Sequence, residues 1–102
     1  ESGAFDVMVV YATDGLNKRA GLTILEDDLG FFPEYYGAFL VREDLFSDFY
    51  DAAPNLEQVL ELLTGQVTSE DMVELTYAVD VDGQDVSQTA HEFLVKKGLL
   101  SA

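Results

Sequence analysis

The hydrophobic period changes once along this chain, near Asp44, and that change restricts the possible folds more than any other feature of the sequence. Before it, apolar residues come in short runs; after it, they recur at helical spacing. Asp6-Val7-Met8-Val9-Val10-Tyr11 is entered through Gly3 and ended by the turn Thr13-Asp14-Gly15, so it reads as a buried strand with Tyr11 at its C-terminal end. Leu22-Thr23-Ile24-Leu25 reads as a second strand and residues 36–41 as a third. Leu56, Val59, Leu60 and Leu63 then follow an i, i+3, i+4, i+7 pattern, with Pro54 near the start and Gly65 at the C-cap, which predicts an amphipathic helix. Thr68 is the expected N-cap of a helix presenting Met72, Leu75 and Val79, with Glu70 and Asp71 favourable in its first turn. A last helix starts at the Asp85 cap, with Gln88 in the capping-box position. It is expected to bury Val86, Ala90, Phe93 and Leu94 and to close on Lys96, Lys97 and Gly98. Strands first and helices last suit part of one α/β lobe, without repeats or an interdomain linker.

A chain of 102 residues with 48% apolar content is one domain at most, with a modest core expected to bury roughly 60–65% of the unfolded surface. Five basic against twenty acidic residues give a net charge of −15, which repels phosphate backbones and anionic headgroups and argues against nucleic-acid binding. Excess acid is otherwise a solvated surface, and with so few lysines it fits life at high salt, where self-repulsion is screened. The absence of cysteine excludes disulfides, thiolate chemistry and Cys-based zinc sites. Apolar runs such as 7–11 fall far short of the ~20 residues of a spanning helix. The sequence contains no signal peptide, and any export signal or lipid anchor would lie upstream of Glu1.

Neither catalysis nor metal binding has a pattern to rest on, and no cofactor is expected. Asp80-Val81-Asp82-Gly83-Gln84-Asp85 alternates carboxylates near a glycine, but counted from Asp80 the glycine falls at loop position 4 and His91 at 12, so it fails as an EF-hand. It reads as an acidic turn between two helices. His91, the single histidine, has no nucleophile constellation around it in sequence and is read as a surface helix residue. Nothing in the spacing selects one acid/base pair from twenty carboxylates, so the chain is not expected to be an enzyme.

One stretch points elsewhere. Val9-Val10-Tyr11-Ala12-Thr13-Asp14-Gly15, then Leu25-Glu26-Asp27-Asp28, then Phe31-Phe32-Pro33-Glu34-Tyr35 come in an order and spacing that resembles the C-terminal part of the substrate-binding proteins of osmoprotectant ABC transporters. Those proteins capture glycine betaine, choline, carnitine or related quaternary amines. The tail carries the resemblance further, through the helix behind Pro54, the link Gly65-Gln66-Val67-Thr68, the helix with Glu70-Asp71-Met72, and Glu92-Phe93-Leu94 ahead of Gly98-Leu99. It implies an α/β fold, the C-terminal part of a type II periplasmic-binding-protein-like two-lobed fold, with short strands followed by three to four helices. Residues 1–102 would then be a C-terminal segment, with 1–15 the end of a crossover strand and a hinge-like turn, and 16–102 a lobe segment.

A quaternary ammonium has no N–H, so it must be held by aromatic faces at about 0.5–2 kcal/mol per well-placed ring, and one ring is too weak. The resemblance places Tyr11 and Tyr35 at two cage positions. Thr13 is included as a ligand-site residue, although Thr-Asp-Gly is also ordinary turn chemistry whose benefit would be to position the Tyr11 ring. Without the resemblance, a strand-end tyrosine with its hydroxyl in water is the plainer reading of Tyr11 and Tyr35. Tyr36 is expected in core or surface, and Phe31 and Phe32 as packing residues. Four positions depart from the family pattern: Val10 stands where many members have Gly, Ala12 where Ser is common, Leu29 for a frequent Lys, and Thr76 for a frequent Asn. The partners implied are a quaternary-ammonium ligand and an ABC permease subunit, with a homodimer of the truncated chain as a further expectation. The location implied is extracytoplasmic, membrane-associated through a lipid anchor or permease outside this segment. The alternative is an acidic α/β protein-interaction domain without a small-molecule ligand.

Overall fold

The computed structural model describes residues 3–33 and 36–101. Among the described residues five helices run in the order α1 Gly15–Arg19, α2 Leu45–Asp48, α3 Leu56–Glu61, α4 Ser69–Asp80 and α5 Val86–Lys96. The three expected strands are absent among the described residues: 6–11, 22–25 and 36–41 carry no ladder. β-branched and aromatic residues favour a pleated, half-buried surface, but a strand exists only where a neighbour takes up its N–H and C=O groups. Among the described residues none of these runs pairs with another, so the strand part of the expected fold is corrected to an all-helical set of elements.

The chain divides into two units, one of Glu1–Ile24 with Gly65–Ala102 and the other of Leu25–Thr64. In the first unit α1 packs on α4, and α4 on α5. Thr68 caps α4 as its sequence position predicts. Its hydroxyl accepts from the Asp71 N–H at 3.1 Å while the Asp71 carboxylate accepts from the Thr68 N–H, a complete capping box. Only half of that device forms on α5, where Asp85 accepts from the Gln88 N–H but the Gln88 amide reaches forward to Glu92 at 2.9 Å. The acidic stretch 80–85 does join two helices. The end of α5 is a Schellman motif: Gly98 takes φ 73°, its N–H bonds to the Val95 carbonyl and that of Leu99 to Leu94. Lys97 ties the two helices together, 2.7 Å from the Asp71 carboxylate and 5.2 Å from the centre of the Phe93 ring.

The second unit is built locally. Asp27 folds the turn ahead of Phe31 and Phe32, Arg42 pairs with Asp44 and Asp48 around the short α2, and α3 is shorter than the expected 54–63.

The expected core is the second correction. No apolar side chain among the described residues is buried, and Val86 and Ala90 are exposed while Phe93 and Leu94 are only half-buried. An amphipathic helix buries its stripe only when a second layer covers it. Here two helix pairings cover a small part of the apolar surface, and the buried positions among the described residues are instead Gly15 and the polar Asn17 and Thr89.

Candidate functional site

Tyr11 stands at the entrance to α1, and the residues behind it fix its backbone. The Tyr11 carbonyl accepts two hydrogen bonds, from the Asp14 N–H at 3.1 Å and from the Asn17 side-chain amide at 2.6 Å. Asn17 is 7% exposed, so its amide is committed to that bond rather than to water. Asp14 caps α1, its carboxylate accepting from the Leu16 N–H at 2.8 Å. Thus Thr-Asp-Gly is more than a turn; it is the N-terminus of a one-turn helix. That helix closes in a second Schellman motif at Gly21, with Gly21 bonding to Lys18 and Leu22 to Asn17.

The turn rests on α4. The Thr76 hydroxyl accepts from the Gly15 N–H at 2.9 Å and lies 3.0 Å from the Thr13 carbonyl, which competes for the one hydroxyl hydrogen with the Met72 carbonyl at 2.9 Å and the Val73 carbonyl at 3.2 Å. Gly15 approaches so closely that a Cβ there would stand 2.4 Å from the Tyr77 backbone nitrogen. Only glycine permits this contact. Lys18 adds an ion pair to Glu74 at 2.6 Å and lies 5.1 Å from the centre of the Tyr77 ring. The Glu74 hydrogen bond, chiefly, holds the Lys18 ammonium above its ordinary pKa.

The Tyr11 side chain itself is 72% exposed. Thr13 is half-buried, with its carbonyl turned to Thr76. Tyr35, the other proposed cage residue, lies outside the described residues. Of its neighbours, Tyr36 is exposed, and Phe31 and Phe32 meet edge to face at 5.1 Å. The Asp27 carboxylate accepts from the Phe32 N–H at 2.8 Å and the Phe31 N–H at 2.9 Å, and these bonds, Phe32 first, hold its pKa below the usual carboxylate value. A cleft of about 290 Å³ between α4 and α5 is lined by Glu70, Glu74, Glu92 and Phe93 among others; neither Tyr11 nor Thr13 borders it. Sequence reasoning missed Asn17 altogether and noted Thr76 only as a departure. A contact across 61 residues leaves no local signal, although an amide one turn into a helix headed by Asp-Gly was a visible hint.

The chain belongs to a family of transport proteins: the pattern described as "Substrate binding domain of ABC-type glycine betaine transport system" matches residues 1–96. That family is one of extracytoplasmic substrate-binding proteins and not of enzymes, with a periplasmic-binding-protein-like fold; its members bind a small ligand and work with a permease. The particular relatives carry narrower names. The chain is 31% identical over 99 residues to the ergothioneine transport permease/ergothioneine binding protein EgtU of Helicobacter pylori strain G27, covering 97% of this chain and 17% of that protein. It is 31% identical over 96 residues to the carnitine transport binding protein OpuCC of Listeria monocytogenes, covering 94% of this chain and 30% of the relative. To the glycine betaine-binding protein YehZ of Escherichia coli K12 it is 26% identical over 98 residues, covering 96% and 31%. The chain therefore spans less than a third of the length of these relatives.

Proposed function

We propose that this chain is the C-terminal segment of a substrate-binding domain and supplies part of an aromatic cage for a quaternary-ammonium osmoprotectant: glycine betaine, choline or carnitine. Tyr11 and Tyr35 are the cage walls, and Thr13 belongs to the same site. Residues 1–15 act as the end of a crossover segment with its hinge-like turn, and 16–102 as a lobe segment. The bound solute passes to an ABC permease on the extracytoplasmic side, with membrane association through that permease or through a lipid anchor outside this segment.

The observation that carries the reading is the exposed Tyr11 ring on a pinned backbone. Tyr77 offers a contrast, because Lys18 already lies over its face. The names of the relatives add support: carnitine, glycine betaine and ergothioneine share a trimethylammonium group and a carboxylate. Such a cation gains affinity from ring faces alone. The exposed apolar side chains, Phe5, Leu29 and Leu40 among them, fit a segment that meets the rest of a larger domain.

Titration with glycine betaine, by calorimetry on an N-terminally extended form and on this chain alone, tests the reading. Tyr11→Leu and Tyr35→Leu should each weaken binding by the extended form about 2- to 30-fold, the equivalent of one ring. Equal, tight binding by both forms would contradict a site shared with the preceding segment, and unaltered binding by both variants would remove the cage.

A further inference from the structure

We infer that Thr76 and Asn17 are positioning residues that set where the Tyr11 ring stands, a role that rests on the cage reading for its bearing on ligand binding. Thr76 lies on α4, sixty-one residues from Gly15, and meets the turn through its hydroxyl. One oxygen meets two backbone groups of that turn, taking the Gly15 N–H and facing the Thr13 carbonyl. Asn17 works from the other side. Its buried amide reaches back over the first turn of α1 to the Tyr11 carbonyl, the same atom that receives the Asp14 N–H.

Together these bonds link Tyr11 to α4 through two relays. The first runs from Tyr11 to Asn17 on α1; the second runs from residues 13–15 to Thr76. Tyr11 has no buried side chain of its own to anchor it, so its ring position follows its backbone. A cation–π contact is lost when the ring moves out of range, at about 6 Å from the ring centre to the cation. Rotation of the turn away from α4 would therefore weaken the cage without touching a ring. The missing Cβ of Gly15 permits the approach, and the Thr76 hydroxyl makes it directional.

The test is NMR on the whole chain. Thr76→Val keeps the shape and removes both hydroxyl contacts to the turn, along with those to the Met72 and Val73 carbonyls. It should raise the exchange rate of the Gly15 amide roughly tenfold and shift the Tyr11 ring and carbonyl signals, while α5 signals hold still. Thr76→Ser, which restores the hydroxyl, should return all of them to the parent values. Asn17→Asp swaps the donor for an acceptor against the Tyr11 carbonyl and should move the same Tyr11 signals with α4 unaltered. If Thr76→Val unfolds α4 and α5 as well, Asn17→Asp decides alone. Unmoved Tyr11 signals in both variants would overturn the inference, as would Thr76→Ser behaving like Thr76→Val. The two readings separate on addition of glycine betaine to the N-terminally extended form. Tyr11→Leu without effect on binding removes the cage role of Tyr11 even where the structural signals respond. A Tyr11→Leu loss of binding that Thr76→Val fails to reproduce leaves the cage standing and removes the positioning role.

Discussion

The turn at Tyr11 and the turn before Tyr35 are held by different kinds of contact. The first is tied to a distant helix: Gly15 and Thr13 meet Thr76 across 61 and 63 residues, and Lys18 meets Glu74 across 56. The second is tied to itself, since the Asp27 carboxylate reaches only four and five residues ahead, to the N–H groups of Phe31 and Phe32. A local cap fixes the shape of a loop and leaves its placement open. A long-range clamp fixes placement as well. The turn behind Tyr11 is thus held by a local cap and a long-range clamp, and the described turn at 27–32 by its local cap.

The largest effect that separates the two regions should come from their glycines. Gly15→Ala forces a Cβ to 2.4 Å from the Tyr77 nitrogen, so α1 must leave α4, at an expected cost of about 3 kcal/mol in denaturant unfolding. Gly37→Ala, in the second unit with nothing within 4 Å of the added Cβ, should leave stability within about 0.5 kcal/mol of the parent. Equal losses at both positions would break the comparison. Next in size is Thr68→Ala, which removes one half of the α4 capping box and should cost about 1 kcal/mol by the same measurement. Since α4 is the platform of the first turn, amide exchange at Gly15 should rise in that variant while exchange at Phe32 stays constant.

The smallest effects are titrations. Lys97, then the Thr68 N–H, holds the Asp71 carboxyl below its ordinary pKa, and the Phe32 and Phe31 N–H groups do the same for Asp27. A folded-state pKa below the unfolded value adds stability that is complete above about pH 3.9 and fades as the pH falls through the lower folded value. Both regions should loosen in acid, but along separate routes. Lys97→Met should raise the Asp71 midpoint toward the ordinary value and leave that of Asp27 where it is, as read by side-chain carboxyl NMR. Coupled midpoints would mean that the two regions are not independent.

The sequence was most legible where structure is local. Thr68 with Asp71, and Asp85 with Gln88, announce helix starts because the cap and its target are three residues apart; Gly98 marks an end for the same reason. The order and spacing of the Tyr11, Asp27 and Phe32 elements likewise made the family readable before any coordinates. The runs at 6–11, 22–25 and 36–41 misled because strand preference states a need for a neighbour and does not supply one. Burial on α5 failed for a related reason: Val86 and Ala90 lie on a face that no other described element covers. The clamp on Tyr11 was out of reach because Thr76 and Gly15 become neighbours only when α1 docks on α4.

The most direct test of the central claim is an NMR titration of the N-terminally extended form with glycine betaine that follows the ring signals of this chain's five tyrosines. The account predicts that Tyr11 and Tyr35 shift together while Tyr50 and Tyr77, the latter already under Lys18, stay still. Tyrosine rings that all remain unmoved at tens of millimolar ligand, or a shift at Tyr77 without one at Tyr11, would contradict it.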